Sequence, residues 1–172
     1  MYNKELKIGI SALIVVLAIA LFFAQWYGTG VLLIVLAGLV VLTIFRNEHI
    51  LTAFYYLRKQ QMPQAKQALD RIKNPHKLIK TQEAYFYYLN GIIAASQKNS
   101  ITQAEKFFSQ ALKIGLRMEQ DQAVAKLNMA VAAASKRRKV EAQKLIAEAK
   151  KLDKNRMLSD QIKMIEGQLK FL

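Results

Sequence analysis

The sequence predicts an all-α protein in which an N-terminal two-helix transmembrane hairpin precedes an array of helical hairpins. Three observations lead to this fold class. The stretch from Ile8 to Phe45 contains no Asp, Glu, Lys, Arg or His. From His49 onward, apolar residues recur every three or four positions, which is typical of amphipathic helices and not of strands. The same part of the chain also matches itself at an offset of 38 residues.

The apolar stretch is long enough to cross a membrane twice, because one span needs only about 20 apolar residues. Two glycines within residues 25–30 permit a tight turn, and Trp26 and Tyr27 favour the membrane–water interface. We therefore predict a transmembrane helical hairpin over residues 1–46. The alternative is a cleaved signal peptide, since a start with lysine precedes the apolar stretch and the small residues Ala18 and Ala20.

The charge distribution predicts an orientation for this hairpin. The formal net charge is +14, and residues 1–48 hold three Lys/Arg against two acidic residues, so nearly all the excess lies later in the chain. Lys4 and Lys7 precede the first predicted span, and Arg46 follows the second. Because Lys and Arg beside a span stay on the cytoplasmic side, we expect a two-pass protein of the cytoplasmic (inner) membrane. Both termini and the repeat domain would lie in the cytoplasm.

The internal match predicts tandem repeats after the hairpin. Leu89 and Asn90 recur 38 residues later as Leu127 and Asn128, and several alanines and lysines match at the same offset. Ala65, which lies 39 residues before Ala104, indicates an earlier and weaker copy. We predict a repeat domain over residues 47–172, with repeats over about 47–79, 83–117 and 121–155 and a capping helix over about 157–172.

The second helix of each repeat has a characteristic pattern. Ala104, Phe108 and Ala111 match the spacing A-x-x-x-F-x-x-A, and residues 142–149 match it with Ile146 in place of the aromatic residue. This resembles the tetratricopeptide repeat, although these repeats are about four residues longer than the usual 34. Ile72 also stands where a small residue is expected, and the second and third repeats lack the proline that ends the helix. An unrelated α-α repeat is the alternative.

The resemblance implies a concave groove lined by the first helices, and an asparagine in them that bonds the backbone of an extended peptide. Asn90 and Asn128 occupy the matching positions. Such a lining suits a hydrophobic peptide or a helix of a membrane-associated protein. Alternatively, the asparagines bond within the array, or the C-terminal helix fills the groove. The groove residues that we predict are Phe86, Leu89, Asn90, Ile93, Asn128 and Val131.

Basic residues cluster at the turns inside the predicted hairpins, and stacking would place them along one edge. Such an edge attracts membrane lipids with anionic headgroups or another polyanion. A solvated surface is the alternative, and no nucleic acid is expected because no recognised nucleic-acid motif accompanies the charge. The residues of this predicted basic edge are Arg58, Lys59, Lys98, Lys136, Arg137, Arg138 and Lys139.

The sequence offers little chemistry for catalysis. It has no cysteine, its two histidines His49 and His76 lie far apart, and no glycine-rich phosphate loop is present. We predict no catalytic residue, no metal ligand and no cofactor. The expected function is a non-enzymatic, membrane-anchored scaffold or adaptor that binds a protein partner through the groove, for example in assembly of a membrane complex. The alternative is a membrane-surface module that binds anionic lipid through the basic edge.

Overall fold

The computed structural model describes Gly9, Leu13, Val16 and residues 47–97 and 100–171. The chain divides into two units between Glu48 and His49. In the first unit, Gly9, Leu13 and Val16 are helical. A short 3₁₀ helix, Pro75–Lys77, lies between α2 and α3. The α-helices from residue 48 onward are α1 (Glu48–Arg58), α2 (Met62–Asp70), α3 (Lys80–Ala95), α4 (Ile101–Ile114), α5 (Glu119–Ser135), α6 (Lys139–Leu152) and α7 (Ser159–Leu169).

The structure corrects the membrane part of the predicted fold class. Among the described residues, no helix has both the length and the apolar character that crossing a membrane requires. Even α5, with 17 residues, is shorter than the roughly 20 of a span and carries Glu119, Asp121 and Lys126. On this finding the predicted transmembrane hairpin and the two-pass inner-membrane localisation are wrong. Both the transmembrane prediction and the signal-peptide alternative depended on the stretch from Ile8 to Phe45. Of this stretch, only Gly9, Leu13 and Val16 are among the described residues.

The described helices pack mainly against their neighbours in the chain, as in a helical repeat protein. The hairpin pairs α3 with α4 and α5 with α6 make the most extensive contacts. Smaller contacts join α2 to α3, α4 to α5 and α6 to α7, and first helices of successive hairpins also meet, α3 with α5 and α5 with α7. The prediction of all-helical, repeat-like packing is thereby confirmed. The finer assignment to the tetratricopeptide type stays a prediction.

The matching positions at α2, α4 and α6 are buried. In α4 and α6 they lie at i, i+4 and i+7, a spacing that places them on one face, and at α2 the third position falls two residues after the helix ends. The internal sequence match therefore corresponds to a packing position that recurs along the array. The buried triplets are Ala65, Leu69 and Ile72 at α2, Ala104, Phe108 and Ala111 on α4, and Ala142, Ile146 and Ala149 on α6.

The core consists of two clusters that meet at α5. The first runs from Ile50 on α1 to Ala125 on α5. The second joins α5 and α6 to α7, which buries Ile162, Ile165 and Leu169. Because α7 covers the second cluster, apolar residues of α5 and α6 are shielded from water at the end of the array.

The turns after α1 and α5 share one backbone geometry. Gln60 and Arg137 have φ angles of 58° and 57°, in the left-handed region that ordinarily favours glycine. Paired 6→1 and 5→2 hydrogen bonds close each turn as a Schellman motif, which ends the helix and sends the chain into the next one. These bonds are Gln61 N to Tyr56 O, Gln60 N to Leu57 O, Arg138 N to Ala133 O and Arg137 N to Ala134 O, all 2.9 Å.

Candidate functional site

The predicted groove residues lie in two different environments. Leu89, Asn90 and Ile93 on α3 are buried, with 0%, 4% and 3% of their surface exposed. On α5, Asn128 is half-buried and Val131 is 38% exposed. The remaining residue, Phe86 of α3, is half-buried. Most of the α3 positions therefore belong to the core, whereas the two α5 positions are partly accessible to solvent.

The two asparagines make the same hydrogen bond within their own helices. Asn90 Nδ2 donates to the Phe86 carbonyl, and Asn128 Nδ2 donates to the Val124 carbonyl, each at 2.9 Å. Both bonds reach back four residues, so the two side chains are held alike along their helices. This geometry matches the alternative in which the asparagines bond within the array, and it occupies only the amide nitrogens.

The amide oxygens of the two asparagines differ. Lys66 Nζ of α2 donates to Asn90 Oδ1 at 3.2 Å, while the same ammonium pairs with Asp70 at 2.7 Å. Among the described residues, none donates to Asn128 Oδ1. Asn128 thus retains a free acceptor beside the exposed Val131. We call these two residues the α5 surface.

The tyrosines of α3 serve packing between helices. Tyr85 Oη donates to Asp121 Oδ2 of α5 at 2.6 Å, and its ring lies 5.6 Å from that of Phe54 on α1. Burial first, and then the hydrogen bond to Asp121, raises the pKa of Tyr85 well above its ordinary value. Burial also raises the pKa of Tyr88, with further contributions from Asp121. Both phenols stay protonated at neutral pH, so Tyr85 donates to Asp121 and ties α3 to α5.

The predicted basic edge is partly neutralised by acidic residues. Lys136 Nζ lies 2.5 Å from Glu105 Oε2, and Arg138 Nη2 lies 2.6 Å from Glu105 Oε1. Arg138 Nη1 also pairs with Glu141 at 2.8 Å. Burial alone would raise the pKa of Glu105, but hydrogen bonds from Lys136 and Arg138 outweigh it and lower that pKa. These contacts join the turn after α5 to α4, so two predicted edge cations serve the array itself.

The other predicted edge residues lie in different environments and do not form one cluster. Lys59 Nζ lies 4.4 Å above the Tyr55 ring, and Arg58 and Arg137 are exposed. Lys98 lies outside the described residues. Lys139 belongs to a separate feature, a cleft between α6 and α7.

Sequence reasoning missed this cleft, which has a volume of about 790 Å³. Four lysines and one glutamate surround it, and Ala147 contributes exposed apolar surface. The signal available in the sequence was the seven-residue spacing of Lys163 on α7 and Lys170 at its C-terminal cap, which places them on one face. Only packing brings them opposite the lysines of α6. We call this feature the lysine cleft; its charged residues are Lys139, Lys150, Lys163, Glu166 and Lys170.

The only two histidines do not form a metal centre in the described part of the chain. His76 Nδ1 lies 2.6 Å from Glu83 Oε1, which ties the 3₁₀ helix to α3. No group of three or more His, Cys, Asp or Glu residues suited to a metal ion occurs among the described residues. A second cleft, of about 610 Å³, lies beside α4 and includes Glu105, Lys136 and Glu141, three of the residues joined by the ion pairs described above.

No protein-family model, no curated protein and no solved structure matches this chain. The function is therefore inferred from the packing of the described helices and from the side chains that this packing leaves accessible.

Proposed function

We propose that this chain is a non-enzymatic adaptor of the tetratricopeptide type, which binds a protein partner through the α5 surface. The recurrence of the buried triplet at α2, α4 and α6 supports the repeat assignment. In the middle hairpin, a Cβ on Gly91 would lie 2.8 Å from the Phe108 ring. This close approach fits a repeat in which a small residue stands where the two helices cross.

The observation that carries the binding proposal is the free amide oxygen of Asn128. Its amide nitrogen is already held by the Val124 carbonyl. The side chain is therefore oriented before a partner arrives, and less conformational freedom is lost on binding. A backbone N–H of the partner would donate to Asn128 Oδ1, and an apolar side chain would cover Val131. An extended peptide or an exposed helix end supplies both groups.

Asn90 provides a matched internal control for this proposal. It makes the same bond to its own helix, but it is 4% exposed and its oxygen accepts from Lys66. If the asparagines acted only through the stability of the array, Asn90→Ala would disturb function at least as much as Asn128→Ala. If they act by contacting a partner, only Asn128→Ala would disturb binding.

The test is affinity co-purification of the full chain from its native cells, with bound proteins identified by mass spectrometry. The wild type is compared with Asn128→Ala, Val131→Asp and Asn90→Ala. We expect a stoichiometric partner that is lost from the first two variants and kept by Asn90→Ala, with far-UV circular dichroism confirming that all variants are folded. A partner kept by all three variants would rule out the α5 surface.

The contacts of Glu105 favour this proposal over the alternative of a lipid-binding or polyanion-binding basic edge. Glu105 is shared by Lys136 and Arg138, and Arg138 is also paired with Glu141. An anion that bound there would have to displace carboxylates from both cations. The gain from such an exchange is small, because the cations are already compensated.

A further inference from the structure

The lysine cleft is formed by one face of each of two helices. Lys139, Gln143, Ala147 and Lys150 recur along α6, and Lys163, Gly167 and Lys170 recur along α7. At 1.5 Å per residue, the α6 face extends for roughly 16 Å. Because these residues lie along the cleft, its charge is spread over its length and does not converge on one point.

The charge of the cleft is mostly uncompensated. Lys150 pairs with Glu166 at 2.6 Å, which bridges α6 and α7. Within the described residues, Lys139, Lys163 and Lys170 form no ion pair, and Glu166 is the cleft's one acidic residue. Three cations therefore face the opening without a partner.

The corresponding cleft one repeat earlier, of about 610 Å³, is compensated to a greater extent. There, Glu105 of α4 receives Lys136 and Arg138 from the turn that follows α5. The residue of α6 that matches Glu105 at the 38-residue offset is Gln143, which is neutral and exposed. In addition, α7 has 11 residues against 17 in α5, so it covers a shorter part of its neighbour. Both places in the array carry an open cleft, but the one at the end is lined by four lysines and one glutamate, against three lysines and two glutamates in the middle.

Gly167 places no side chain in the cleft on the α7 side. A Cβ at this position would meet no atom within 4 Å, so neither packing nor backbone conformation requires glycine here. Glycine inside a helix is less favourable than alanine by about 1 kcal/mol. An open helix surface at this point allows the backbone of a bound segment to approach α7 closely.

The chemistry of the cleft selects one class of occupant. Its volume of about 790 Å³ far exceeds that of a single phosphate, and the exposed Ala147 together with the methylene chains of the lysines gives it apolar surface. It contains neither arginine nor an aromatic ring, the groups on which nucleic-acid bases commonly stack. A second copy of this chain is disfavoured because its formal net charge is +14. Acidic side chains separated by apolar ones fit both the lysines and the apolar surface.

We infer that the lysine cleft between α6 and α7 is a second binding site, which takes an acidic, partly apolar segment of a partner protein. This inference goes beyond the proposed function, because the α5 surface contributes no residue to the cleft. The carboxylates of the bound segment pair with Lys139, Lys163 and Lys170. Its apolar side chains cover Ala147 and the methylene chains of the lysines, and its backbone passes over Gly167.

The test uses fluorescence anisotropy of the full chain with a labelled Glu-rich peptide that contains interspersed Leu, beside a peptide with Gln in place of Glu. Neutralising the cleft in a Lys139→Gln/Lys163→Gln/Lys170→Gln variant should weaken binding about tenfold, as the loss of three exposed ion pairs implies. The matched control is Lys73→Gln/Lys77→Gln/Lys80→Gln, which changes the net charge equally at another place. It should weaken binding no more than about twofold, because salt screens distant charges.

A second pair of variants tests the shape of the cleft at constant charge. Gly167→Leu should weaken peptide binding severalfold by filling the space above α7, whereas Gly167→Ala should leave most of the affinity. Equal loss in the cleft and control lysine variants would overturn the inference, and so would full affinity in Gly167→Leu. Cleft-dependent binding of phosphatidylserine vesicles without binding of the Glu peptide would also overturn it. Asn128→Ala should leave the peptide affinity unchanged, so failure of this site and failure of the α5 surface are distinguishable.

Discussion

The hairpins α3/α4 and α5/α6 have the same buried spacing but different core chemistry. The middle hairpin buries Tyr87, Tyr88 and Phe108, and it makes room for the Phe108 ring at Gly91. In the third hairpin, six of the seven residues that α5 buries are alanines, and the residue matching Phe108 is Ile146. The repeat pattern therefore specifies where residues are buried without specifying how large they are.

This difference determines how each hairpin should respond to mutation. A core with large rings loses much apolar contact when a ring is removed, and it tolerates no added atom where the ring meets glycine. A core of alanines depends on close approach of the helices, and each side chain contributes little by itself. The following four predictions test this contrast and the contacts at its boundary, from the largest expected effect to the smallest.

Removal of the Phe108 ring should have the largest effect. Phe108 is fully buried, and truncation of such a residue to alanine typically lowers the free energy of unfolding by about 3–5 kcal/mol. Ile146→Ala removes fewer atoms and should cost less. The measurement is urea unfolding of both variants, followed by circular dichroism at the helical signal. A larger loss for Ile146→Ala would contradict the contrast between the two cores.

Gly91→Ala should be the next most damaging change. The added Cβ would lie 2.8 Å from the Phe108 ring, and overpacking of this kind typically costs about 1–3 kcal/mol. The double variant Gly91→Ala/Phe108→Leu should recover part of this loss, because the smaller side chain leaves room for the methyl group. Gly167→Ala is the control and should stabilise the chain, since glycine in an open helix position gains about 1 kcal/mol on change to alanine. A destabilisation that the double variant does not relieve would refute the steric explanation.

Arg137→Gly should stabilise the turn between α5 and α6. Arg137 has a φ of 57°, and a left-handed conformation costs a non-glycine residue roughly 1–2 kcal/mol. Part of that gain is offset by the greater freedom of glycine in the unfolded chain. Thermal unfolding should show a higher midpoint, and Gln60→Gly in the turn after α1 should behave alike. If both midpoints fall, the side chains of Arg137 and Gln60 stabilise the folded chain by more than their left-handed backbone conformation destabilises it.

The pH dependence of stability should reveal the contact between α4 and the turn after α5. The pKa of Glu105 is lowered from its ordinary value of 4.5 in the folded state. Its contribution to stability is therefore present above that value and is lost as the pH falls through the folded pKa. The difference in unfolding free energy between the wild type and Glu105→Gln should shrink as the pH is lowered below about 4.5. A difference that stays constant into strong acid would show that this carboxylate contributes no pH-dependent stability.

Much of the repeat geometry was predictable from residue spacing. The periodicity after His49 indicated helices, and the match of Ala104 with Ala142 and of Ala111 with Ala149 indicated equivalent buried positions, which the structure contains. These features are local or periodic, so a single sequence displays them. The membrane interpretation of the first 46 residues was wrong, because no described helix has both the length and the apolar character of a membrane span.

The candidate sites were less predictable because accessibility depends on neighbours in space. Asn90 and Asn128 have identical positions in their repeats, but only the amide oxygen of Asn90 accepts from a lysine of the preceding second helix, Lys66 of α2. Likewise, Lys136 and Arg138 appeared to offer free charge until packing placed Glu105 beside them. The converse holds at the lysine cleft, where lysines distant in the chain meet across α6 and α7.

The sequence by itself determined the helical class, the repeat period and the residues that face the core. These properties follow from spacing along one helix, where the 3.6-residue turn converts position directly into direction. Only the tertiary structure decided which of the equivalent residues remain open to a partner. That choice depends on contacts between helices, and identical positions in successive repeats have different neighbours. The helices that pack beside them leave Asn128 half-buried with a free amide oxygen and leave Lys163 exposed.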